Sequence, residues 1–576
     1  MATPSDNPNA RMLCTDHPTP QFRRNNFRML NGKWDFAMDQ RLDRPDNYPE
    51  AIIVPFAVET EASGIARSVA PEDVLHYRTF IKLEEIRESE EYVLHFEAVD
   101  QVCDVYLNGE LLGHHEGGYF PFEFSLGNAK VGNNVIEVTV QDNTDSDLFP
   151  RGKQNNEYGG IWYKPTSGIW GNVWFEKRPK GHIRSIKLLP DFDKCSIRIN
   201  IDFDGEIKSG TVLVVCPDNH EISHSFTDSE LDFGVQGHFF PWSPYQPDLY
   251  AVRLRVNDDE IYSYFAMRKF SIVEKDGHKV FGLNNKPLFL TGPLDQGYWQ
   301  NCGMTPPSDQ ALIDDIELIK SMGFNMLRKH IKIEPMRWYY HCDRLGVIVI
   351  QDFLNGGSRY SKFLINTAPF IRYKFNDLKT YKRLGRGNPE SRKAFENDMK
   401  PFVDLLYNVP CIGVWTLFNE GWGQFDAIRL TEELRKLDDS RPIDSTSGWY
   451  DQRCGDFESR HIYFRPVKLH HVKGRALCLS EFGGYSLYIE GHTKIQKKSF
   501  GYKTFDSQAK FATAIRSLWE KQLIPLVKKA HLSIAVYTQL SDVEDEINGL
   551  ITFDRKIIKI DPQLMKDLNR RLSFDE

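Results

Sequence analysis

Two short motifs in the second half of the chain place a glutamate directly after an apolar run. In CIGVWTLFNEGWG, residues 411–423, the run ends at Asn419 and Glu420 before two glycines. In ALCLSEFGG, residues 476–484, a similar run ends at Glu481. Glycines alone would be enough for a turn, so the two carboxylates indicate chemistry. A pair of facing carboxylates can divide acid–base work, because one can hold a proton while the other is ionised.

The elements that position these glutamates are short apolar strands alternating with amphipathic helices. The predicted strands are residues 287–292, 325–330, 347–353, 411–420, 442–449, 461–464, 476–482 and 533–540, and predicted helices include 309–323, 391–408 and 426–438. Eight such units over roughly 300 residues predict a (β/α)8 TIM barrel, in which catalytic groups lie at the C-terminal ends of strands. Glu420 would end the fourth strand and Glu481 the seventh, so they would face each other across the mouth.

Two β-rich regions are predicted before the barrel, since 576 residues are too many for one core. Residues 1–180 show alternating runs split by turn residues, including Asn-Gly at 108–109, which indicates hairpins in a β-sandwich. Residues 181–273 continue this pattern over the roughly 100 residues that an immunoglobulin-like sandwich needs. The predicted barrel domain is 274–576.

Composition narrows the class of partner. The chain has 72 basic and 80 acidic residues, a formal net charge of −8, which does not favour nucleic acid or an anionic membrane. The N-terminus has no basic start followed by an apolar core, and no apolar run is long enough to span a bilayer. Nine cysteines without a CxxC pair fit reduced thiols. We expect a cytoplasmic protein with a small or neutral partner, and homo-oligomerisation stays open.

Facing carboxylates in a barrel mouth suit glycoside hydrolysis, in which one acid protonates the leaving oxygen and the other attacks or stabilises the anomeric carbon. A separation of about 5–5.5 Å would retain configuration, and roughly 6.5–9.5 Å would invert it. We expect hydrogen-bond donors around Glu481, to keep it ionised, and a drier setting for Glu420. The alternative is that each glutamate only caps a loop, but two at matching strand ends favour catalysis.

The motifs resemble those of glycoside hydrolase family 2. The stretches LNGKWDF (30–36), YLNGELLGHHEGGYFPFEF (106–124) and SGIWGNVWFE (167–176) are similar to the family's sugar-binding sandwich. FNEGWG and SEFGG are similar to its acid/base and nucleophile motifs. The resemblance implies a jelly-roll domain, an immunoglobulin-like domain and a TIM barrel, and a retaining enzyme that removes terminal β-glycosides from carbohydrate substrates.

The resemblance also implies roles for individual residues. Glu420 would be the acid/base, Glu481 the nucleophile, and Asn419 the partner of the sugar 2-hydroxyl. Other candidates for substrate binding end neighbouring barrel strands, and on the eighth strand an aromatic residue stands where glucuronidases place a tryptophan. These candidates are Arg328, His330, Asp352, Trp449, His461, Tyr463 and Tyr537. A core histidine is the alternative for His461, and barrel packing is the alternative for Tyr537.

Specificity is predicted from DEINGLITFDRK, residues 545–556. Glucuronidases of the family have Asn-x-Lys-Gly here, and their lysine pairs with the sugar carboxylate, whereas this chain has Glu546 and Asn548. A carboxylate in place of the ammonium would repel glucuronate, which favours a neutral sugar and a β-galactoside first. Lys329 or Lys332 could restore an acidic preference. β-Glucuronidase, β-mannosidase and a non-catalytic carbohydrate-binding protein remain alternatives, and we expect no cofactor and no metal.

Overall fold

The computed structural model describes residues 7–368, 373–470, 473–493, 495 and 498–574, and its first β-rich region is an antiparallel sandwich. The strands are β1 (Phe27–Met29), β2 (Gly32–Asp39), β3 (Glu50–Val54), β4 (Val74–Leu83), β5 (Glu90–Phe96), β6 (Val99–Asp100), β7 (Val102–Leu107), β8 (Glu110–Glu116), β9 (Phe122–Ser125), β10 (Gly132–Gln141), β11 (Gly168–Ile169) and β12 (Val173–Pro179). One sheet has the order β1-β12-β5-β9 and the other β3-β2-β4-β10-β7-β8. The hairpin predicted at Asn108-Gly109 is confirmed, because both residues have positive φ and connect the paired strands β7 and β8.

A second antiparallel sandwich follows. Its strands are β13 (Ile183–Asp191), β14 (Ser196–Phe203), β15 (Gly210–Val215), β16 (Glu221–Phe226), β17 (Glu230–Gly234), β18 (Tyr250–Val256) and β19 (Asp259–Phe265). The sheets have the orders β13-β14-β17 and β16-β15-β18-β19. In β18, Val252 and Leu254 are buried while Arg253 and Arg255 are exposed, so the period of two places apolar side chains in the core. The domain boundaries at 180 and 273 stay a prediction.

The C-terminal half is a parallel barrel, entered through β20 (Phe270–Lys275), β21 (His278–Leu283) and β22 (Lys286–Pro287). Barrel strands are β23 (Leu290–Asp295), β24 (Met326–Lys329), β25 (Ile348–Asp352), β26 (Ile412–Asn419), β27 (Ile443–Ser447), β28 (Phe457–Ile462), β29 (Ala476–Gly483) and β32 (Leu532–Thr538); β30 (Tyr485–Leu487) and β31 (Lys503–Phe505) form a small separate sheet. Helices are α1 (Pro8–Leu13), α2 (Asp309–Ser321), α3 (Met336–Leu345), α4 (Lys362–Asn366), α5 (Pro389–Leu406), α6 (Ala427–Leu437), α7 (Gln508–Leu518), α8 (Ile524–Ala530) and α9 (Pro562–Asn569). The predicted fold class, β-sandwiches followed by a TIM barrel, is confirmed.

The barrel ring has the order β27-β26-β25-β24-β23-β32-β29-β28. Between its ends, β27 and β28, side chains make the connection: the Ser459 hydroxyl donates to Asp444 over 2.5 Å, and Ser447 Oγ lies 3.0 Å from His461 Nε2. These bonds bring the C-terminal ends of β27 and β28 together. They therefore help to hold His461 at the barrel mouth.

Three features differ from the predicted pattern. The first barrel strand begins at Leu290 rather than at 287, and the sixth runs over Phe457–Ile462 rather than 461–464. The connections 448–456 and 463–475 also contain no helix within their described residues, so not every strand is followed by one. Among the helices that the structure describes, none has the length and apolar character needed to cross a bilayer.

Candidate active site

Glu420 lies just beyond β26, whose eight residues are all buried, as expected for a central parallel strand. Its backbone is left-handed, with φ of 49°, a strained conformation for a residue with a side chain. The backbone N–H of Glu420 donates to the Ser447 carbonyl over 3.0 Å, and that of Trp422 donates to the Asn419 carbonyl over 2.8 Å. This sharp turn aims the carboxyl group inward. A side chain at Gly421 would place its Cβ 2.7 Å from the Tyr450 ring, so the glycine is required.

Glu481 is the second carboxylate at the mouth, on β29. Arg328 Nη1 donates to its Oε1 over 3.1 Å, and the Tyr463 hydroxyl donates to its Oε2. Glu420, His461 and Glu481 each present a ligand atom such that the three atoms lie within 4.8 Å of one another. The two predicted catalytic carboxylates therefore share one small space.

The two glutamates have different electrostatic settings. Burial raises the pKa of Glu420 to about 7, against the opposing charges of Lys153 and Arg328. Burial and the neighbouring charge of Glu420 also raise the pKa of Glu481, while the Arg328 guanidinium and the Tyr463 hydroxyl act to lower it. Glu420 can thus hold a proton near neutrality, and donors to Glu481 favour its ionised form.

His461 connects the two carboxylates from the end of β28. Its Nδ1 lies 2.7 Å from Glu420 Oε1 and 3.5 Å from Glu481 Oε2, and burial lowers its pKa to about 4. The ring is therefore neutral near pH 7. It can donate to an ionised Glu420 or accept from a protonated one, because the Ser447 hydroxyl at Nε2 can rotate to match either tautomer.

Arg328 was predicted to bind substrate, but the protein itself occupies its donors. Nε and Nη2 donate to Asp352, Nη2 also to Asn419, and Nη1 to Glu481 and the Ser480 carbonyl, at 2.8 to 3.1 Å. A guanidinium has five N–H groups, so these contacts use all of them. Through these contacts Arg328 and Asp352 position other residues of the candidate site, and their roles in substrate binding stay predictions.

Asn419 and His330 each have a side-chain nitrogen that no described residue occupies. The side-chain oxygen of Asn419 accepts from Arg328, and its buried Nδ2 has no hydrogen-bond partner among the described residues. His330 Nδ1 lies 2.8 Å from Asp352 Oδ2, and burial lowers the pKa of His330 to about 3. Since Asp352 accepts from Nδ1–H, His330 Nε2 is left as an acceptor.

Tyr537 packs in the barrel core, which was the alternative for this residue, and its role as a sugar contact stays a prediction. It is fully buried, with its ring centre 5.7 Å from those of Phe482 and Trp519 in the core. Because side chains alternate along a strand, the next residue of β32, Thr538, faces the mouth, and its hydroxyl lies 3.1 Å from the Tyr463 hydroxyl. Trp449 lies at the mouth beside His461, with a ring separation of 6.2 Å.

Sequence reasoning missed Lys153, which lies in the connection 142–167 of the first sandwich. Its Nζ is 5.0 Å from the Trp422 ring centre, 5.4 Å from Tyr163 and 5.7 Å from Trp162. Burial lowers the pKa of Lys153, while the charges of Glu546, Glu481 and Glu420 act to raise it. Among the described residues Lys153 forms no ion pair. A long connection with the aromatic run YGGIWY was the available signal.

Glu546 lies close to Lys153. It is buried and accepts hydrogen bonds from the Tyr163 hydroxyl at 2.5 Å and from Asn548 Nδ2 at 3.0 Å. Because its charge acts on both Lys153 and Glu420, it belongs to the same electrostatic unit. The buried Asn548 oxygen has no hydrogen-bond partner among the described residues, which leaves an acceptor there.

Lys329 and Lys332 are engaged elsewhere. Lys329 Nζ pairs with Asp295 at 2.6 Å and with Glu334 at 2.7 Å. Lys332 Nζ donates to the Gly297 and Met304 carbonyls and pairs with Glu334 at 3.0 Å. Both ammonium groups therefore already have buried protein partners.

The atoms of Glu420, His461 and Glu481 are also spaced closely enough to hold a metal ion. Within the described residues, no other group of three or more His, Cys, Asp and Glu side chains has this spacing. The short distances between these atoms would also allow a proton to pass between the carboxyl groups of Glu420 and Glu481.

Family models match two parts of this chain, the first sandwich and most of the barrel. The model described as "Glycosyl hydrolases family 2, TIM barrel domain" matches residues 273–472, and the one described as "Glycosyl hydrolases family 2, sugar binding domain" matches residues 27–179. Together they cover more than half of the chain.

Curated proteins with similar sequences share about a quarter of their aligned residues with this chain. A β-galactosidase of Thermoanaerobacter pseudethanolicus is 26% identical over 433 residues, 72% of this chain and 53% of that protein. A β-glucuronidase of Streptococcus agalactiae is 24% identical over 423 residues, 68% of this chain and 66% of that protein. The chain thus spans less than two thirds of the length of these relatives.

Solved structures share the fold. A β-D-glucuronidase of Dictyoglomus thermophilum has a TM-score of 0.72 at 18% identity, covering 96% of this chain and 98% of that one. A Ruminococcus gnavus β-glucuronidase has a TM-score of 0.75 at 16% identity, covering 97% of this chain and 100% of that one. At such identities the likeness shows the fold alone.

Proposed function

Because the chain belongs to glycosyl hydrolases family 2, we propose that it is a retaining, exo-acting β-glycosidase with Glu481 as nucleophile and Glu420 as acid/base. The observation that carries the proposal is the closeness of the two carboxyl groups. Their nearest oxygens lie within 4.8 Å, which fits the short separation of retaining enzymes rather than the roughly 6.5–9.5 Å that would admit a water.

In the proposed first step, a Glu481 oxygen bonds to the anomeric carbon while Glu420 gives its proton to the departing glycosidic oxygen. The raised pKa of Glu420 keeps that proton available near neutrality. Once Glu481 is esterified, its negative charge is gone, so Glu420 ionises more easily. Glu420 can then take a proton from the water that releases the sugar.

The unpaired polar atoms supply hydroxyl contacts in this proposal. The free Nδ2 of Asn419 lies next to Glu420 in the chain and can donate to the sugar 2-hydroxyl. His330 Nε2 can accept from another hydroxyl. Both groups are held through Arg328 and Asp352, so their positions are fixed before the sugar arrives.

A neutral sugar, with a β-galactoside first, fits the charges of the site best. Glu546 is a buried carboxylate at the position where the family's glucuronidases present asparagine, and Asn548 stands where they present lysine. Glu546 can accept hydrogen bonds from sugar hydroxyls. Lys153 faces Glu546 and the two catalytic glutamates, so its charge is already opposed by protein carboxylates. A substrate carboxylate placed beside Glu546 would be repelled.

A β-glucuronide is the second candidate, and one specific observation favours it. Lys153 is a buried cation without an ion pair among the described residues, so it could pair with a sugar carboxylate in place of the family's lysine. A panel of nitrophenyl β-galactoside, β-glucuronide and β-mannoside separates the candidates through kcat/KM. We expect the galactoside to exceed the glucuronide by tens-fold, since an unpaired buried charge costs about 2–3 kcal/mol. A ratio that favours the glucuronide would contradict the neutral-sugar proposal.

A further inference from the structure

A large cavity opens beside the proposed catalytic residues. Its volume is about 1100 Å³, and its wall includes His461 and Tyr463, which contact Glu420 and Glu481. It extends along the outer side of β28, where the connection 463–475 provides no helix among its described residues. This volume is at the upper end of ligand sites and has room for more than one sugar unit.

The wall of this cavity is strongly basic. It contains seven lysines and arginines but only two acidic residues, Asp451 and Glu458. Both acids are already paired: Arg475 Nη2 lies 2.7 Å from Asp451 Oδ2 and 3.4 Å from Glu458 Oε2, and Arg460 also pairs with Glu458. Five exposed cations have no ion pair among the described residues, namely Lys374, Arg453, Arg465, Lys468 and Lys473.

Aromatic side chains stand among these cations. Phe464 is 65% exposed and Tyr373 is 42% exposed, although large aromatic side chains usually bury most of their area. Trp449 also borders the cavity, where it enters the barrel mouth. Exposed rings beside cations are the surface that a sugar chain with acidic substituents would contact, through ring faces and charge-assisted hydrogen bonds.

We propose that this cavity binds the leaving group of the substrate, and that this leaving group is an anionic saccharide bearing a carboxylate or a sulfate. The inference rests on the proposed glycosidase function and adds the class of aglycone. The terminal sugar at Glu546 would be neutral and its neighbour acidic. The neighbouring sugar is assigned as acidic because the five unpaired cations line the cavity that would hold it. A neutral leaving group would leave these cations without partners.

The test uses three disaccharides with the same terminal sugar, chosen as that of the best nitrophenyl glycoside. The second unit is glucose, glucuronate or glucose 6-sulfate, so that the two charged arms separate carboxylate from sulfate. For the wild-type protein we expect at least one charged disaccharide to exceed the neutral one in kcat/KM by about tenfold at low salt. The preference should shrink as salt is added.

The double variant Arg465→Gln/Lys468→Gln should reduce this preference to about twofold or less. A matched double variant, Arg28→Gln/Lys33→Gln, removes the same charge from exposed positions on the first sandwich and should leave the preference unchanged. The proposal is overturned if the wild type shows no preference for either charged disaccharide, or if the two double variants behave alike.

Failure of the proposed glycosidase function would be seen separately, as absence of hydrolysis of every nitrophenyl glycoside. In that case calorimetric titration still tests the cavity, with disaccharides that carry a terminal galactose on glucose, glucuronate or glucose 6-sulfate. Tighter binding of a charged disaccharide that the Arg465→Gln/Lys468→Gln variant loses would support it. Equal binding of charged and neutral disaccharides would contradict it.

Discussion

At the scale of single residues, burial and charge act in opposite directions on the Glu420 carboxyl group. Burial raises its pKa, and Lys153 and then Arg328 oppose the rise, while Glu546 adds to it. Since Glu420 must be protonated to act as an acid, activity should fall on the alkaline side as this group ionises. In the proposed mechanism Lys153, which comes from the first sandwich, would therefore help to set the pH range of a site in the barrel.

The variant Lys153→Met tests this electrostatic role. Removing the positive charge makes ionised Glu420 less favourable, so its pKa should rise and the alkaline limb of kcat/KM should move up by about one pH unit. The measurement is the pH profile on the best nitrophenyl glycoside. Lys164→Met, in the same connection, is the control and should leave the limb in place. A limb that does not move, or moves down, would contradict the assignment.

At the scale of elements, the turn after β26 determines where the carboxyl group of Glu420, the proposed acid/base, points. Gly421 has φ of 73° and Gly423 has φ of 64°, and a Cβ at Gly423 would lie 2.7 Å from the Gly356 carbonyl oxygen. These glycines let Glu420 adopt its left-handed conformation against the loop that carries Tyr450. Asp426, directly before α6, and Tyr450 in the facing loop also have positive φ, of 42° and 55°.

Gly421→Ala should therefore be costly. The new Cβ would meet the Tyr450 ring and force a side chain into positive φ, which we expect to destabilise the fold by about 1–3 kcal/mol and to lower kcat. Gly127→Ala is the control, because its Cβ would meet nothing within 4 Å and its φ is not in the left-handed region. The measurements are the thermal unfolding midpoint and kcat of both variants. Equal midpoints and equal kcat values for the two variants would show that this turn is not constrained.

The barrel strands could be predicted where they are buried on both faces, because such strands are continuous apolar runs. β26 and β29 are of this kind. The start of β28 was missed since its outward residues Glu458 and Arg460 line the basic cavity instead of packing beneath a helix. Its FESR segment therefore has the composition of a loop. The packing of Tyr537 in the core could not be predicted, because which side chains of a strand face the mouth depends on register, which composition does not reveal.

At the scale of the whole molecule, the proposed site is completed by parts that are far apart in the chain. The connection 142–167 of the first sandwich brings Lys153 and Tyr163 to the barrel mouth, and the Tyr163 hydroxyl bonds Glu546 across 383 positions. Sequence spacing carries no information about such a contact, since it depends on how sandwich and barrel pack. This is why the glutamates could be predicted but Lys153 could not.

The two sandwiches are joined through Arg24, and this joint can be tested. Its guanidinium pairs with Glu176 of β12 and Asp259 of β19, each at 2.8 Å, and all three side chains are buried. Arg24→Met would leave two buried carboxylates without their cation, so we expect a loss of about 3–5 kcal/mol and a lower denaturation midpoint. Arg184→Met breaks only exposed pairs with Asp202 and Asp204 and should leave the midpoint almost unchanged. Equal midpoints for the two variants would contradict the account.

The central claim, that Glu481 is the nucleophile of a retaining glycosidase, is tested most directly by covalent labelling. A 2-deoxy-2-fluoro glycoside of the preferred sugar slows release of the glycosyl-enzyme, so the intermediate should accumulate and be visible by intact mass. Peptide mapping should place the single added glycosyl group on Glu481, and Glu481→Gln should abolish the label. A label on another residue, or hydrolysis with inverted configuration and no covalent adduct, would contradict the proposed mechanism.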